Sequence, residues 1–319
     1  MRWTLVVMLA LAGAGALLYL WPVPQKDFAS LAINVDPNVT ASLINFRQTH
    51  PLKSIENHGE TWHYVVDGQG AETILFLHGM TGAYDIWWQQ MEALSPDFRV
   101  ISVTYPPIDT LEGLSEGVMA VLDAENVQHT YVVGTSLGGY LAQYLLATHP
   151  QRLKGVVFAN TFPPNDYYKQ KNETLIRLLP LLPTWLVMKS FRQNIQQSIY
   201  PASGYSELAL AYLLEQTYGR MSKAQVAARA KAVLDDFAPP DPEALGVPVL
   251  IIEADNDPLV PAQLRAQLKE TYPSAKVHTL SGVGHFPYLN APDDYTAILR
   301  AFLTKSPAKK PGQSAKGAQ

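Results

Sequence analysis

The chain has 319 residues and no cysteine, with 24 Lys and Arg against 28 Asp and Glu for a net charge of −4. Without cysteine it holds neither disulfides nor thiolate metal sites, and without a basic face or long charge runs it is not built for nucleic acid. Its length suits one large α/β domain, or one domain carrying an insertion.

The N-terminus opens with Arg2 and then an almost wholly apolar, charge-free run from Trp3 to Trp21. That is about the length of a bilayer-crossing helix, and Tyr19 and Trp21 close it with interface-seeking aromatic residues. The expectation is a membrane anchor over residues 1–21, or a cleaved signal peptide using the small-residue steps Ala12-Gly13-Ala14 or Ala14-Gly15-Ala16. Arg2 on the near side would put the rest of the chain outside the cytoplasm, periplasmic or extracellular, and secreted after cleavage.

Residues from Pro22 to about Pro51 show weak periodicity and read as a lead-in. Trp62 to Val66 reads as a strand ending in the turn Asp67-Gly68-Gln69-Gly70. Thr73 to Leu77 and Arg99 to Tyr105 are apolar runs of the kind buried on both faces of a parallel sheet. Gly113 to Ala124 reads as a helix, Thr130 to Val133 as a strand, Leu137 to Thr148 as a helix and Gly155 to Ala159 as a strand. Val247 to Ile252 and Lys276 to Leu280 complete the strands. Strands alternating with helices predict a mostly parallel central sheet flanked by helices.

The alternation breaks from about 161 to 245, where no convincing strand is found and helices are expected around Ser206 to Thr217 and Ala224 to Leu234. This stretch reads as an inserted helical cap. Its apolar cluster around Leu178, Leu182, Trp185 and Met188 is expected to pack onto the main domain, with an acyl-group wall or a membrane contact as the alternative. From Thr304 on, the Lys-, Pro- and Gly-rich composition predicts a disordered basic tail.

The chemistry concentrates in Gly134-Thr135-Ser136-Leu137-Gly138, between a predicted strand and a predicted helix. A sharp strand-to-helix turn pushes the middle side chain out of the sheet edge, and the flanking glycines allow the two backbones to pass closely. Ser136 is therefore the candidate nucleophile. A serine needs a base and the base an orienting acid. His285, in Ser281-Gly282-Val283-Gly284-His285, follows the last strand and is the candidate base. Asp255 and Asp257 both follow the penultimate strand; the usual spacing of three residues to a Val-Pro step, here Val260-Pro261, favours Asp257, and Asp255 suits a loop-capping role. Glu253 lies too far back on its strand. Backbone N–H groups of Leu137 and of Met80, in His78-Gly79-Met80-Thr81-Gly82, are the candidate oxyanion hole, with His78 fixing that loop.

Elbow, oxyanion loop, acid and histidine arrive in one order, and from about Trp62 to Phe302 the chain resembles the α/β-hydrolase superfamily. Within it the chain is most similar to the maspardin-like proteins. Arg99-Val100-Ile101 with Tyr105-Pro106, the run Gly134 to Gln143, Asn160-Thr161-Phe162 and His285-Phe286-Pro287-Tyr288-Leu289 carry that likeness. The resemblance implies one hydrolase domain over 22–303 with the cap inserted in it. It also implies a carboxylesterase- or lipase-like serine hydrolase acting on a small-molecule acyl substrate, with no cofactor. Maspardin-like proteins are regarded as interaction proteins with altered acid and histidine positions, so a non-catalytic binding role is the second reading; Asp257 and His285 depart from that pattern and favour a working triad. Ser136 excludes the aspartate nucleophile of dehalogenases, and no His/Asp cluster has metal-ligand spacing. The expected partners are the acyl substrate and, through the N-terminal segment, a membrane; oligomeric state is not legible.

Overall fold

The computed structural model describes residues 2–305. Eight strands form one sheet: β1 (Lys53–Asn57), β2 (Glu60–Asp67), β3 (Thr73–Leu77), β4 (Arg99–Thr104), β5 (Thr130–Thr135), β6 (Leu153–Ala159), β7 (Val249–Ala254) and β8 (Lys276–Leu280). Their order is β1-β2-β4-β3-β5-β6-β7-β8. β1 and β2 are antiparallel to their neighbours, and β4 through β8 pair in parallel. The mostly parallel sheet expected from the apolar runs is present, with β1 added at its edge.

The strands explain themselves by period. Ile74 and Phe76 face one core layer and Leu75 and Leu77 the other, all fully buried. Each such side chain contributes about 1.5–3 kcal/mol by leaving water, so a one-residue slip of β3 would exchange both layers at once. In chain order the main helices are α1 (Arg2–Tyr19), α2 (Pro37–Thr49), α3 (Leu111–Ala124), α4 (Leu137–Thr148), α5 (Asp166–Leu178), α6 (Thr184–Asn194), α7 (Glu207–Glu215), α8 (Lys223–Ala232), α9 (Ala262–Thr271) and α10 (Pro292–Lys305). α3, α4 and α9 cover one face of the sheet; α2 and α10 cover the other.

α2 falls inside the stretch read as a lead-in. Asp36 caps it by accepting the Asn38 N–H at 2.7 Å, and Pro37 opens it, but only Leu43 and Phe46 are buried. Two buried positions are too few to impose a visible helical period on the sequence.

Between β6 and β7 the chain contains helices and no strand. The apolar cluster there does not pack onto the sheet domain as expected. Leu179, Val187 and Met188 bury themselves with Met221 and Val226 in a separate small core inside the helical insert. Leu178 and Leu181 stay exposed.

The expected membrane anchor is corrected. Among the described residues, no helix is both long and apolar enough to cross a membrane. α1 has 18 residues, roughly 27 Å at about 1.5 Å per residue, which is at the lower limit of what a hydrocarbon core of about 30 Å requires. The helix stops because Pro22 and Pro24 follow it, and its end is docked on the insert. Trp185 Nε1 donates to the Leu18 carbonyl at 2.7 Å, and Lys223 sits over the Tyr19 ring. The membrane partner and the membrane-anchored siting of the body outside the cytoplasm rested on that anchor and are withdrawn with it. The basic tail expected from Thr304 lies outside the described residues beyond Lys305, the last residue of α10.

Candidate active site

The sheet delivers the singled-out residues to its carboxyl edge. β5 ends at Thr135 and α4 starts at Leu137, so Ser136 takes the whole turn, at φ 53° and ψ −119°. A positive φ at a non-glycine residue is strained. Its surroundings hold it there: the Ser136 N–H donates to the Ala159 carbonyl at 2.9 Å, and its carbonyl accepts from Thr161 Oγ1 at 2.8 Å. The elbow glycines are obligatory. A Cβ at Gly134 would lie 2.1 Å from the Gly138 carbonyl oxygen, and one at Gly138 would lie 2.1 Å from that of Leu77.

His285 sits in the loop after β8, made by Gly282 at φ +74° and Gly284 at φ +66°. The imidazole is buried, and its Nδ1 lies 2.8 Å from Asp257 Oδ2 and 3.0 Å from Oδ1. That contact places the proton on Nδ1 and leaves Nε2 for a second partner. Asp257 is itself buried. Its Oδ1 accepts the N–H groups of Leu259 (2.8 Å) and Val260 (3.1 Å), and its Oδ2 accepts Asn160 Nδ2 at 2.8 Å. Burial opposes charge on this carboxyl, yet the His285 charge and the hydrogen bonds from His285, Asn160 and Leu259 outweigh it and hold it below the ordinary carboxylate value.

Asp255 is elsewhere. It accepts the Gly282 N–H at 3.0 Å and so braces the histidine loop from outside. Asn256 does the same for Gly284, at 2.8 Å. Glu253 is turned to Lys269 and Thr279.

The loop after β3 lies against Ser136: a Cβ at Gly79 would sit 3.1 Å from the Ser136 Cβ. His78 is buried and neutral in form. Its Nδ1 faces the Gly79 carbonyl at 2.6 Å, and its Nε2 accepts the Tyr105 N–H at 3.3 Å. Burial first, then the nearby Arg229 charge, hold it well below the usual imidazole value, against the Gly79 hydrogen bond and the Asp85 charge. Because peptides are trans here, C=O and N–H oppose each other across each bond. His78 therefore turns the Met80 N–H away from itself. Leu137 opens α4, where N–H groups lack intrahelical acceptors.

Ser136, Leu137, Gly79, Met80 and His285 line one cavity of about 540 Å³. The rest of its wall is largely apolar, with Phe162, Leu175, Phe191, Ile195 and Ile199 facing Val260 and Leu264. The insert supplies Leu175, Phe191, Ile195 and Ile199 to this wall, and none of the apolar cluster singled out in the sequence. No group of His, Asp or Glu among the described residues is gathered to hold a metal ion.

Two residues near the site escaped the sequence reading as parts of it. Asn160 lies immediately after β6 in a positive-φ conformation, φ 43°, which an asparagine tolerates. Arg229 lies on α8 with Val226 and Ala230 in the buried stripe; an arginine on an apolar helical stripe is the signal that could have found it, and the sequence reading passed over it.

The alpha/beta hydrolase family matches residues 74–298. RutD of Caulobacter sp. (strain K31), provisionally named a carbamate hydrolase, is 26% identical over 259 residues, which is 76% of this chain and 95% of that protein. Human maspardin is 24% identical over 253 residues, 76% of this chain and 80% of maspardin. Among solved structures, the enol-lactonase from Burkholderia xenovorans LB400 superposes with a TM-score of 0.66 at 20% identity, covering 79% of this chain and all 100% of the other. A thermophilic esterase from Thermogutta terrifontis gives 0.64 at 19% identity, covering 80% of this chain and 99% of the other. At these identities the structures speak for the fold alone.

Proposed function

The chain belongs to the alpha/beta hydrolase family, and from that premise we propose that it is a serine hydrolase acting on a carboxylic ester or a related acyl bond, within one domain over 22–303 whose cap is the stretch 161–245. The observation that carries the reading is the buried His285–Asp257 pair, 2.8 Å apart, opening on the same cavity as the strained Ser136. The Ser136 oxygen attacks the acyl carbon while His285 Nε2 takes the hydroxyl proton. The carbonyl oxygen gains charge and is met by the N–H groups of Met80 and Leu137. Asp257 orients the ring and stabilises the imidazolium. His285 returns the proton to the leaving alkoxide as the carbon–oxygen bond breaks, and water, deprotonated in turn by His285, releases the acid from Ser136.

The apolar wall supports an acyl or alcohol part without charge. Carbamates, the substrates named for RutD, fall in the same acyl class. No cofactor enters the scheme.

The test is labelling with a fluorophosphonate. The folded wild type should label and Ser136→Ala should not. Equal labelling of the two, or none of either, removes the serine mechanism. Silence in both would favour the second reading, a maspardin-like interaction protein on this scaffold, which the 24% identity to maspardin supports.

A further inference from the structure

Arg229 is 1% exposed. It projects from α8 of the insert into the base of the loop that follows β3. Its Nη1 donates to the Met80 carbonyl at 2.8 Å and the Gly82 carbonyl at 3.1 Å, and its Nη2 donates to the Tyr105 carbonyl at 2.9 Å. Among the described residues it has no carboxylate within ion-pair distance, and its buried Nε–H has no partner. Its charge is met by three carbonyl dipoles and by the Tyr105 ring, 5.7 Å away. Burial pushes it down to about 10, so it remains a cation at neutral pH.

This is a costly way to tether two loops. A buried charge with no counter-ion is usually less stable than an apolar side chain of similar volume. What the guanidinium supplies is direction. His78 holds the carbonyl of Gly79 on one side of Met80, and Arg229 holds the carbonyl of Met80 on the other. Both peptide planes at Met80 are thereby set by buried donors. The same loop touches Ser136 through Gly79, so a small rotation of either plane would move the Met80 N–H relative to the nucleophile.

We propose that Arg229 is a positioning residue: by gripping the Met80 and Gly82 carbonyls from the insert, it holds the Met80 N–H where a developing oxyanion needs it. The proposal rests on the serine-hydrolase reading above. It makes oxyanion binding depend on the insert being seated, because the grip comes from α8.

The experiment compares wild type, Arg229→Lys, Arg229→Met and Ser136→Ala. Each is measured for the second-order rate of fluorophosphonate labelling, for kcat and KM on p-nitrophenyl acetate per titrated active site, and for unfolding midpoint. Losing an oxyanion donor lowers turnover by about 10²–10³, and displacing one by an ångström has a cost of about 10². Arg229→Met should therefore label roughly a hundredfold more slowly and lose kcat to match, with KM within about threefold. Arg229→Lys keeps a charge but only a point donor, and should fall between Met and wild type. If Arg229→Met does not fold, the Lys variant decides alone, and a tenfold slower labelling supports the proposal. A lowered unfolding midpoint with labelling and kcat per active site within twofold of wild type overturns it. A wild type that does not label, or labels like Ser136→Ala, overturns the serine reading itself and this proposal with it.

Discussion

Asn160 Nδ2 lies 2.8 Å from Asp257 Oδ2, the same oxygen that receives His285 Nδ1 at 2.8 Å. The carboxylate is thus pinned between β6 and the histidine loop. Asn160→Ala should remove a buried, charge-assisted hydrogen bond worth about 2 kcal/mol and let the carboxylate swing. Turnover should drop roughly tenfold to a hundredfold, with fluorophosphonate labelling slowed in parallel. Unchanged labelling would mean that His285 and the two loop N–H groups suffice to hold Asp257.

Asp257→Asn should lower kcat by about 10⁴, as removal of an orienting carboxylate does in comparable sites. Asp255→Asn should cost less than about tenfold, because Asp255 only braces the Gly282 end of the loop from solvent. Steady-state kinetics on any ester that the wild type turns over ranks the two. The opposite ranking would move the acid to Asp255.

His78 sets a pH dependence of stability. In the fold it stays neutral, its value well below the usual 6.5 because of burial and then Arg229. The unfolded chain takes up a proton near 6.5 and the folded chain does not, so the unfolded state binds more protons below that pH and stability falls as pH drops. Between pH 7 and pH 5 wild type should lose up to about 1.4 kcal/mol per pH unit from this one group. Urea unfolding of wild type and His78→Gln at both pH values checks it. The variant, whatever its absolute stability, should show the shallower dependence.

Asp85 is fully buried between Arg47 Nε (2.7 Å), Arg220 Nη1 (2.6 Å) and the Tyr212 hydroxyl (2.7 Å). It ties α2 and the insert to the turn just beyond the loop that follows β3. Burial disfavours its charge, but Arg220, Arg47 and the Tyr212 hydrogen bond hold its carboxyl below the ordinary value. Asp85→Ala should destabilise by about 3 kcal/mol or more, since it strands two guanidinium groups with only Glu215 left to share. A loss under about 1 kcal/mol in urea unfolding would show that Glu215 alone neutralises the cluster.

Gly138→Ala should prevent folding or cost at least about 3 kcal/mol, because the new Cβ would lie 2.1 Å from the Leu77 carbonyl oxygen with backbone on both sides. Gly59→Ala meets nothing within 4 Å; only its positive φ resists, at about 1–2 kcal/mol. Soluble yield and unfolding midpoints of the two variants test the difference.

What was legible in the sequence was whatever is decided within a few residues. The runs of β3, β5 and β7 announce strands because every residue must face a core layer. The glycines around Ser136 announce the elbow because two backbones meet there, and Gly282 and Gly284 announce the histidine loop. α2 was not legible, since Leu43 and Phe46 alone carry its burial. The anchor reading failed for a related reason: composition counts apolar residues, but Pro22 and the docking of Leu18 on Trp185 decide where the helix ends.

Asn160, Arg229 and Asp85 find their partners 97, 149 and 135 residues away in the chain. A local pattern reports what a residue's neighbours in the chain demand of its backbone. It cannot report which distant carbonyl or carboxylate will meet a buried donor, because that is set only when the sheet orders its strands and the insert comes to rest over their ends.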